Sequence, residues 1–239
     1  MRNKTIKIGS ICGLIALAVM GTRTAFATRL FQSDIGTRIE EWTTKATFLN
    51  KAPIHKDILT TIFWIGERAK GHYSKSNNLD SAWDMRWKEN FGGLDSPIYR
   101  LGFFPAKFRP KQNPFYVALP FNDVSNPGYL EGCPILQYFK ETKLSKGPSV
   151  CKNRWIEITY DEKVCYGQWQ DVGPIYTNDY GYVFLGQEPK AHNKELAGLD
   201  ISPAVRDYLE IKGKCRTTWR FVEEEDVPEG PWKTIVTRS

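Results

Sequence analysis

Two short segments near the C-terminal end of this 239-residue chain constrain its fold more than any other part. Residues 165–174 predict a strand that runs into a Gly-Pro turn and leaves Asp171 at its end. In residues 198–205, Asp200 lies in a short apolar stretch directly before a helix that Ser202 caps and Pro203 begins. Apolar residues then recur at helical spacing until Gly213, which is expected to end the helix. Two carboxylates at the ends of two elements are the pattern expected of a glycan-cleaving site.

Short apolar and alternating runs predict most of the remaining structure to be strands. These runs lie at residues 60–66, 115–119, 154–160, 164–169, 217–222 and 232–236. Turn residues separate them, and the helix after Asp200 is the one clear helix. This arrangement predicts an all-β barrel with insertions.

The two aspartate segments resemble those of the double-psi β-barrel group: family-45 endoglucanases, expansins and lytic transglycosylases of the rare lipoprotein A type. Proteins of this group carry an Asp-x-Gly-Pro turn, matched here by residues 171–174, and a hydrophobic-Asp-hydrophobic-Ser box, matched here by residues 199–202. Residues 60–66 and 115–121 resemble two further barrel strands of the group. The resemblance implies a mainly β, six-stranded double-psi barrel over residues 60–239, with insertions at 66–97 and 125–150 and an N-terminal arm at 28–59.

The first 27 residues predict a secretory signal peptide. Three basic residues precede an apolar run at 8–20, and Ala25-Phe26-Ala27 is a small-x-small cleavage site. The run is short for a transmembrane helix, and no second run approaches the required length of about 20 residues. We therefore expect export to the periplasm or the extracellular space, without membrane contact after cleavage.

Net charge argues against a nucleic-acid partner. The whole chain carries +6, but the first 27 residues hold four basic residues and no acid. The remaining chain has 29 basic and 27 acidic residues, a net charge of +2, and its sequence shows no concentrated basic stripe of the kind that nucleic-acid binders carry. We expect a monomer whose partner is cell-wall polysaccharide.

Four cysteines remain after the first 27 residues: Cys133, Cys151, Cys165 and Cys215. An even number in an exported chain predicts two disulfides, and three pairings are possible. We favour Cys133–Cys151 and Cys165–Cys215, because the second pair would tie the strand before Asp171 to the segment after the Asp200 helix. No Cys-x-x-Cys or His-x-x-x-His spacing indicates a metal site, and no cofactor is expected.

Three acidic residues are the catalytic candidates. Asp200 is the candidate general acid because it matches the aspartate of the hydrophobic-Asp-hydrophobic-Ser box; the alternative is that it only favours the helix N-terminus. As a functional residue, Asp171 would raise the pKa of Asp200 or hold sugar hydroxyl groups. The alternative is a structural role, in which it accepts hydrogen bonds from the N–H groups of its own turn. Glu67 follows the first strand, near the position of the base in family-45 enzymes, although the local pattern differs. We predict that Asp171 and Asp200 meet in one open groove.

Five other residues are candidates for substrate binding. Trp83 and Trp87 lie in the first insertion and would form a wall of a sugar cleft, or else pin this loop to the core. Trp169 lies in a strand and would stack on sugar or face the core. Tyr116 stands near the histidine position of the transglycosylases, and Asp123 follows the Leu-Pro box, where a plain turn role is the alternative.

Three functions from different classes follow from this sequence. The first is an exported enzyme that cleaves β-1,4-linked polysaccharide, peptidoglycan or cellulose-like, as a glycoside hydrolase or a lytic transglycosylase. The second is a non-hydrolytic, expansin-like protein that loosens or binds wall polysaccharide. The third is a structural, partner-binding barrel without catalysis, since a fold does not fix a function.

Overall fold

The computed structural model describes residue 49 and residues 52–68, 77–190 and 196–239. These residues belong to one compact unit, Phe48–Ser239. The predicted signal peptide and most of the predicted N-terminal arm lie outside the described residues.

The part of the chain that the structure describes contains eight strands and four α-helices. The strands are β1 (His55–Ile62), β2 (Arg100–Leu101), β3 (Phe104–Pro105), β4 (Tyr116–Leu119), β5 (Trp155–Tyr160), β6 (Lys163–Val172), β7 (Ala197–Ile201) and β8 (Cys215–Val222). The helices are α1 (Trp87–Phe91), α2 (Pro134–Glu141), α3 (Tyr180–Leu185) and α4 (Pro203–Leu209). Short 3₁₀ turns lie at Pro127–Tyr129, Glu224–Asp226 and Pro231–Lys233.

Six strands form a closed barrel in the order β1-β7-β4-β6-β5-β8. The pairs β1–β7 and β4–β6 are parallel, and the other four are antiparallel. The prediction of a mainly β fold with a closed six-stranded barrel is confirmed, and this mixed order is compatible with a double-psi barrel. Because every strand has two neighbours, the barrel has no free edge that could pair with another chain.

Close approach of β4 to β6 requires a glycine. A Cβ atom at Gly167 would lie 2.9 Å from Val117 Cγ1 and 3.3 Å from the Phe115 carbonyl oxygen. β4 is buried along its whole length, and together with β6 it places Val117 and Trp169 in the main core. The small residue in the middle of β6 therefore lets the two parallel strands approach closely.

Helix α4 begins as the sequence predicts. The Ser202 side chain accepts a hydrogen bond from the Val205 amide (3.4 Å), and Pro203 occupies the first turn. The helix ends earlier than predicted, because Glu210 adopts the left-handed conformation (φ 58°) and closes the last turn. Gly213 therefore lies beyond the helix instead of ending it.

Two local predictions need correction. The sequence indicates one clear helix, but the insertions also contain helices α1 and α2, and helix α3 follows Asp179. Residues 232–236 form no strand: their start is a 3₁₀ turn, Pro231–Lys233, and the closed barrel offers them no edge for pairing. Within the described residues, no helix combines the length and the apolar character that crossing a bilayer requires.

The structure contains no bonded pair among Cys133, Cys151, Cys165 and Cys215. The predicted pair Cys165–Cys215 is wrong, because β5 lies between β6 and β8. Strands about 4.8 Å apart leave these two residues beyond the roughly 7 Å that a disulfide can span between Cα atoms. Burial raises the pKa of the Cys151 thiol, and nearby Asp123 and Cys133 act in the same direction. Because Cys133 lies near enough to Cys151 to affect its pKa, a disulfide between these two residues stays a prediction.

A buried histidine lies in the main aromatic core. The His55 ring stacks on Trp219 with ring centroids 3.9 Å apart and contacts the Tyr182 ring edge-on. Burial lowers the pKa of His55 to about 4, and a hydrogen bond to the Val183 backbone acts in the opposite direction. The folded barrel therefore holds this side chain in its neutral form.

We expect His55 to make the fold sensitive to acid. A pKa of about 4 in the folded state against 6.5 in the unfolded state means that stability is lost as the pH falls from about 6.5 to about 4, by up to about 3 kcal/mol. The variant His55→Phe keeps ring stacking and should lose this part of the pH dependence. Urea unfolding of both proteins at pH 4.5 and pH 7.5 measures the change in unfolding free energy between the two pH values. The same change in His55→Phe as in the wild type would contradict the prediction.

Candidate active site

A row of residues on four adjacent strands forms the floor of the candidate site. Asp171 on β6 is in register with Ala118 on β4, Ala118 is in register with Asp200 on β7, and Asp200 is in register with Thr61 on β1. Residues directly opposite each other in a sheet point to the same face. The two aspartates therefore lie on one face, separated by the small methyl group of Ala118.

This floor opens into a groove of about 450 Å³. Both aspartates line the groove, as predicted, and Glu67 lines it as well. The other lining residues are Phe63, Arg68, Asn78, Ala118, Val172, Gly173, Pro174 and Ile175. Three carboxyl groups thus share one open groove with a single lining cation among the described residues.

Asp171 is held by the first insertion. Its Oδ1 atom accepts a hydrogen bond from the Ala82 amide (2.8 Å), and its own carbonyl accepts one from Trp169 Nε1 (2.8 Å). Burial raises the pKa of Asp171 to about 7; the Ala82 and Val172 amides oppose this, and the charge of Asp200 adds to it. This carboxyl is therefore partly protonated at neutral pH.

Asp200 lies between a hydroxyl group and a second acid. The Thr61 hydroxyl donates to Asp200 Oδ1. Burial raises the pKa of Asp200 to about 6; the Thr61 hydrogen bond lowers it, and the nearby Glu67 carboxylate raises it. Both aspartates are half-buried, so their carboxyl groups are poorly solvated yet still border the groove.

The Gly-Pro turn after β6 shapes the wall of the groove beside Asp200. A Cβ atom at Gly173 would lie 3.4 Å from Asp200 Oδ2, so the missing side chain leaves room for this carboxyl group. The Gly173–Pro174 peptide is cis. Ile175 follows with φ 61°, a conformation that a β-branched residue rarely adopts, and its exposed side chain lies at the rim.

The predicted aromatic wall is largely absent from the groove surface. Trp87 and Trp169 are fully buried, so a sugar cannot stack on either in this structure, and their predicted binding role is wrong. Trp87 packs in a small core with Phe63 and Tyr116. Trp83 is half-buried, contacts Trp169 edge-on and donates through Nε1 to Asn122. The alternative that these tryptophans pin the insertion to the barrel fits the contacts.

Tyr116 and Asp123 also lie away from the groove surface. The buried Tyr116 hydroxyl donates to Asp95 Oδ2 (2.9 Å) and accepts from the Ile65 amide (3.2 Å). Asp123 is buried and accepts hydrogen bonds from the Ser149 hydroxyl (2.7 Å) and the Val150 amide (2.6 Å). Both predictions of substrate binding are wrong, because these polar groups are already bonded inside the protein.

Sequence reasoning missed four residues of this site. The sequence pattern around Thr61 and Ala118 indicates only strands, although their register with Asp200 gives them a place in the floor. Arg68 and Asn78 lie in the first insertion, and no local pattern marks them as groove residues. Among the described residues, no group of three or more His, Cys, Asp or Glu side chains is placed to hold a metal ion.

Comparison with known proteins gives no relative: no protein-family model matches the chain, and no curated protein matches it significantly.

Proposed function

We propose that this chain is an exported, cell-wall glycan-active protein of the double-psi barrel type that cleaves β-1,4-linked polysaccharide with an aspartic general acid. The observation that carries the proposal is the meeting of Asp171, Asp200 and Glu67 in one open groove. Carboxyl groups with raised pKa values in a cleft are typical of catalytic sites. The resemblance of the two aspartate boxes to glycan-active proteins gives the substrate class.

Cleavage of a glycosidic bond needs a proton on the leaving oxygen. With pKa values raised to about 6 and about 7, Asp200 and Asp171 retain protons at a pH where ordinary carboxyl groups have lost them. Asp200, the residue of the hydrophobic-Asp-hydrophobic-Ser box, delivers this proton. Its carboxylate then accepts a proton from the attacking nucleophile, which is water in a hydrolase and a hydroxyl group of the same sugar in a lytic transglycosylase.

Asp171 and Glu67 support this step through charge and hydrogen bonding. Glu67 raises the pKa of Asp200, and the two aspartates lie two strands apart, with Cα atoms about 10 Å from each other. This spacing leaves room for a sugar ring or a water molecule above Ala118. Asp171 is fixed by the Ala82 amide and holds a sugar hydroxyl group or shares the proton.

The test is incubation of the purified protein with peptidoglycan sacculi and with cellulose, followed by mass spectrometry of the soluble products. Water-added fragments indicate a hydrolase, and anhydro sugar ends indicate a lytic transglycosylase. Binding without products would overturn cleavage and leave the expansin-like function. If the protein shows neither binding nor products, the remaining function is that of a structural, partner-binding barrel.

The pH dependence of cleavage gives a further expected result. A general acid works only while it is protonated, so the rate should fall as the pH rises through about 6 to 7, by about tenfold per pH unit above this range. Initial rates between pH 4.5 and pH 9 measure this limb. A rate that stays constant or rises up to pH 9 would contradict a carboxyl group as the acid.

A further inference from the structure

The hairpin formed by β2 and β3 has an unusual distribution of side chains. Arg100 pairs with Pro105 and Leu101 pairs with Phe104, and the Ala106 amide donates to the Tyr99 carbonyl (2.9 Å). Paired residues share a face and successive residues alternate. Tyr99, Leu101, Phe104 and Ala106 therefore lie on one face of the hairpin, and Arg100 lies on the other.

The apolar face is the outer one. Tyr99 is 68% exposed, Leu101 76% and the preceding Ile98 80%, whereas the Arg100 side chain is only 6% exposed. Hairpins that cover a barrel usually turn apolar residues inward and charged residues outward. A cluster of exposed large apolar side chains on one surface marks an interaction site.

Ion pairs fix the hairpin in this orientation. The Arg100 guanidinium group pairs with buried Asp95, and its Nε atom lies 2.9 Å from Asp207 Oδ2. Arg100 also donates to the Ser96 and Phe103 carbonyl oxygens. Turning the hairpin over to hide Leu101 would break these contacts, so the apolar face stays exposed.

Basic residues follow the hairpin along the chain, and one of them lies against the apolar face. Residues 96–111 contain Arg100, Lys107, Arg109 and Lys111 and neither Asp nor Glu. The last three are exposed, and the Arg109 guanidinium group lies 5.8 Å from the centre of the Phe104 ring. The surface formed by Tyr99, Leu101 and Phe104, with Arg109 beside it, is the hairpin face; exposed Ile98 and Lys107 flank it along the chain.

We propose that the hairpin face docks on the surface of an anionic phospholipid bilayer. Aliphatic side chains enter the boundary between headgroups and acyl chains, tyrosine prefers this interface, and lysine and arginine pair with lipid phosphates. A second copy of the chain fits less well, because a symmetric contact would bring like charges together. An anionic polysaccharide would neutralise the charges but leave Ile98 and Leu101 in water.

This proposal does not depend on glycan cleavage. The chain has no second apolar run long enough to span a bilayer, which predicts no membrane contact after cleavage, but an interfacial hairpin needs no such run. If both proposals hold, the barrel works close to a membrane surface.

Hydrogen–deuterium exchange of the full chain tests the proposal, with vesicles of phosphatidylglycerol and phosphatidylcholine or of phosphatidylcholine alone. We expect the amides of residues 98–106 to gain protection with the anionic vesicles and much less with the neutral ones. In the variant Tyr99→Ser/Leu101→Ser, half-maximal protection should need about ten times more lipid or more. In Lys107→Glu/Arg109→Glu it should also need at least about ten times more, and added salt should have a similar effect.

Matched controls keep the test specific. Leu185→Ser removes an exposed leucine at the end of α3, and Lys140→Glu reverses an exposed charge on α2; both should leave the protection of residues 98–106 unchanged. Circular dichroism checks that each variant folds. The proposal is overturned if the hairpin gains no protection, if neutral vesicles protect it equally, or if the Tyr99→Ser/Leu101→Ser variant behaves as the wild type. It is also overturned if the hairpin face mediates self-association without lipid.

Discussion

Asp200→Asn should lower the rate of glycan cleavage by a factor of about 10² to 10⁴. The same substitution should stabilise the folded protein above pH 7. The loss follows because an amide cannot donate the proton that the leaving oxygen needs. The gain follows because burial raises the pKa of Asp200 to about 6, so ionising this carboxyl group costs more in the folded state than in the unfolded one.

The sign and the pH window of the stability effect follow from linkage. Below pH 3.8 the carboxyl group is protonated in both states and contributes no difference. As the pH rises to about 6, the unfolded state ionises first, so the wild type loses stability across this window. Above it, Asp200→Asn should be more stable than the wild type by about 1–3 kcal/mol, since the amide still accepts the hydrogen bond from Thr61.

Urea unfolding at pH 8 measures the change in stability. The amount of soluble glycan product, measured with the same protein preparations, gives the change in cleavage. Glu162→Gln is the matched control: this exposed acid lies in the turn before β6, at the opposite end of the strand from Asp171. It should change neither quantity. Full activity in Asp200→Asn would exclude this residue as the acid, and Asp171→Asn would then test the other carboxyl group of the floor.

Arg100→Met should destabilise the protein by about 3–5 kcal/mol. Arg100 is the buried partner of Asp95, whose side chain is fully inaccessible to solvent. Burial raises the pKa of Asp95, and the Arg100 charge and hydrogen bond oppose this. Without the guanidinium group, Asp95 must either stay charged without its partner or take up a proton, so the cost should shrink as the pH falls.

Arg216→Met is the matched control for this variant. Arg216 also pairs with an aspartate, Asp57, but both side chains are exposed, and such pairs contribute about 0.2–1 kcal/mol. Urea unfolding at pH 5 and pH 8 compares the two variants. A cost below about 1 kcal/mol for Arg100→Met would contradict the importance of the buried pair, and with it the reason why the hairpin face is fixed.

Much of the barrel could be predicted from local patterns. The alternation in residues 154–160 and the turn that follows it indicate the β5–β6 hairpin, and Ser202-Pro203 indicates the start of α4. The same patterns misplace residues 232–236, because an apolar run does not show whether a partner strand has a free edge. The helices of the insertions are short, and their caps carry no side-chain hydrogen bond that a sequence pattern could announce.

The site residues likewise include some that the sequence indicates and others that only the structure places. Asp171 and Asp200 could be recognised as candidates because each stands in a distinctive local box. Aromatic residues are typical of binding surfaces, yet the structure buries Tyr116, Trp87 and Trp169. Whether an aromatic side chain faces a groove or the core depends on which strand lies opposite it, and residues far apart along the chain decide this.

The sequence by itself determined the β5–β6 hairpin, the start of α4 and the two strands that carry an aspartate near their ends, because capping, turn chemistry and alternation act between residues close together in the chain. Only the tertiary structure decided that Ala118 separates the two aspartates on one face, that Arg100 points inward and that Leu101 points outward. These features depend on strand register and on burial, which follow from contacts between distant segments and from the closure of the barrel.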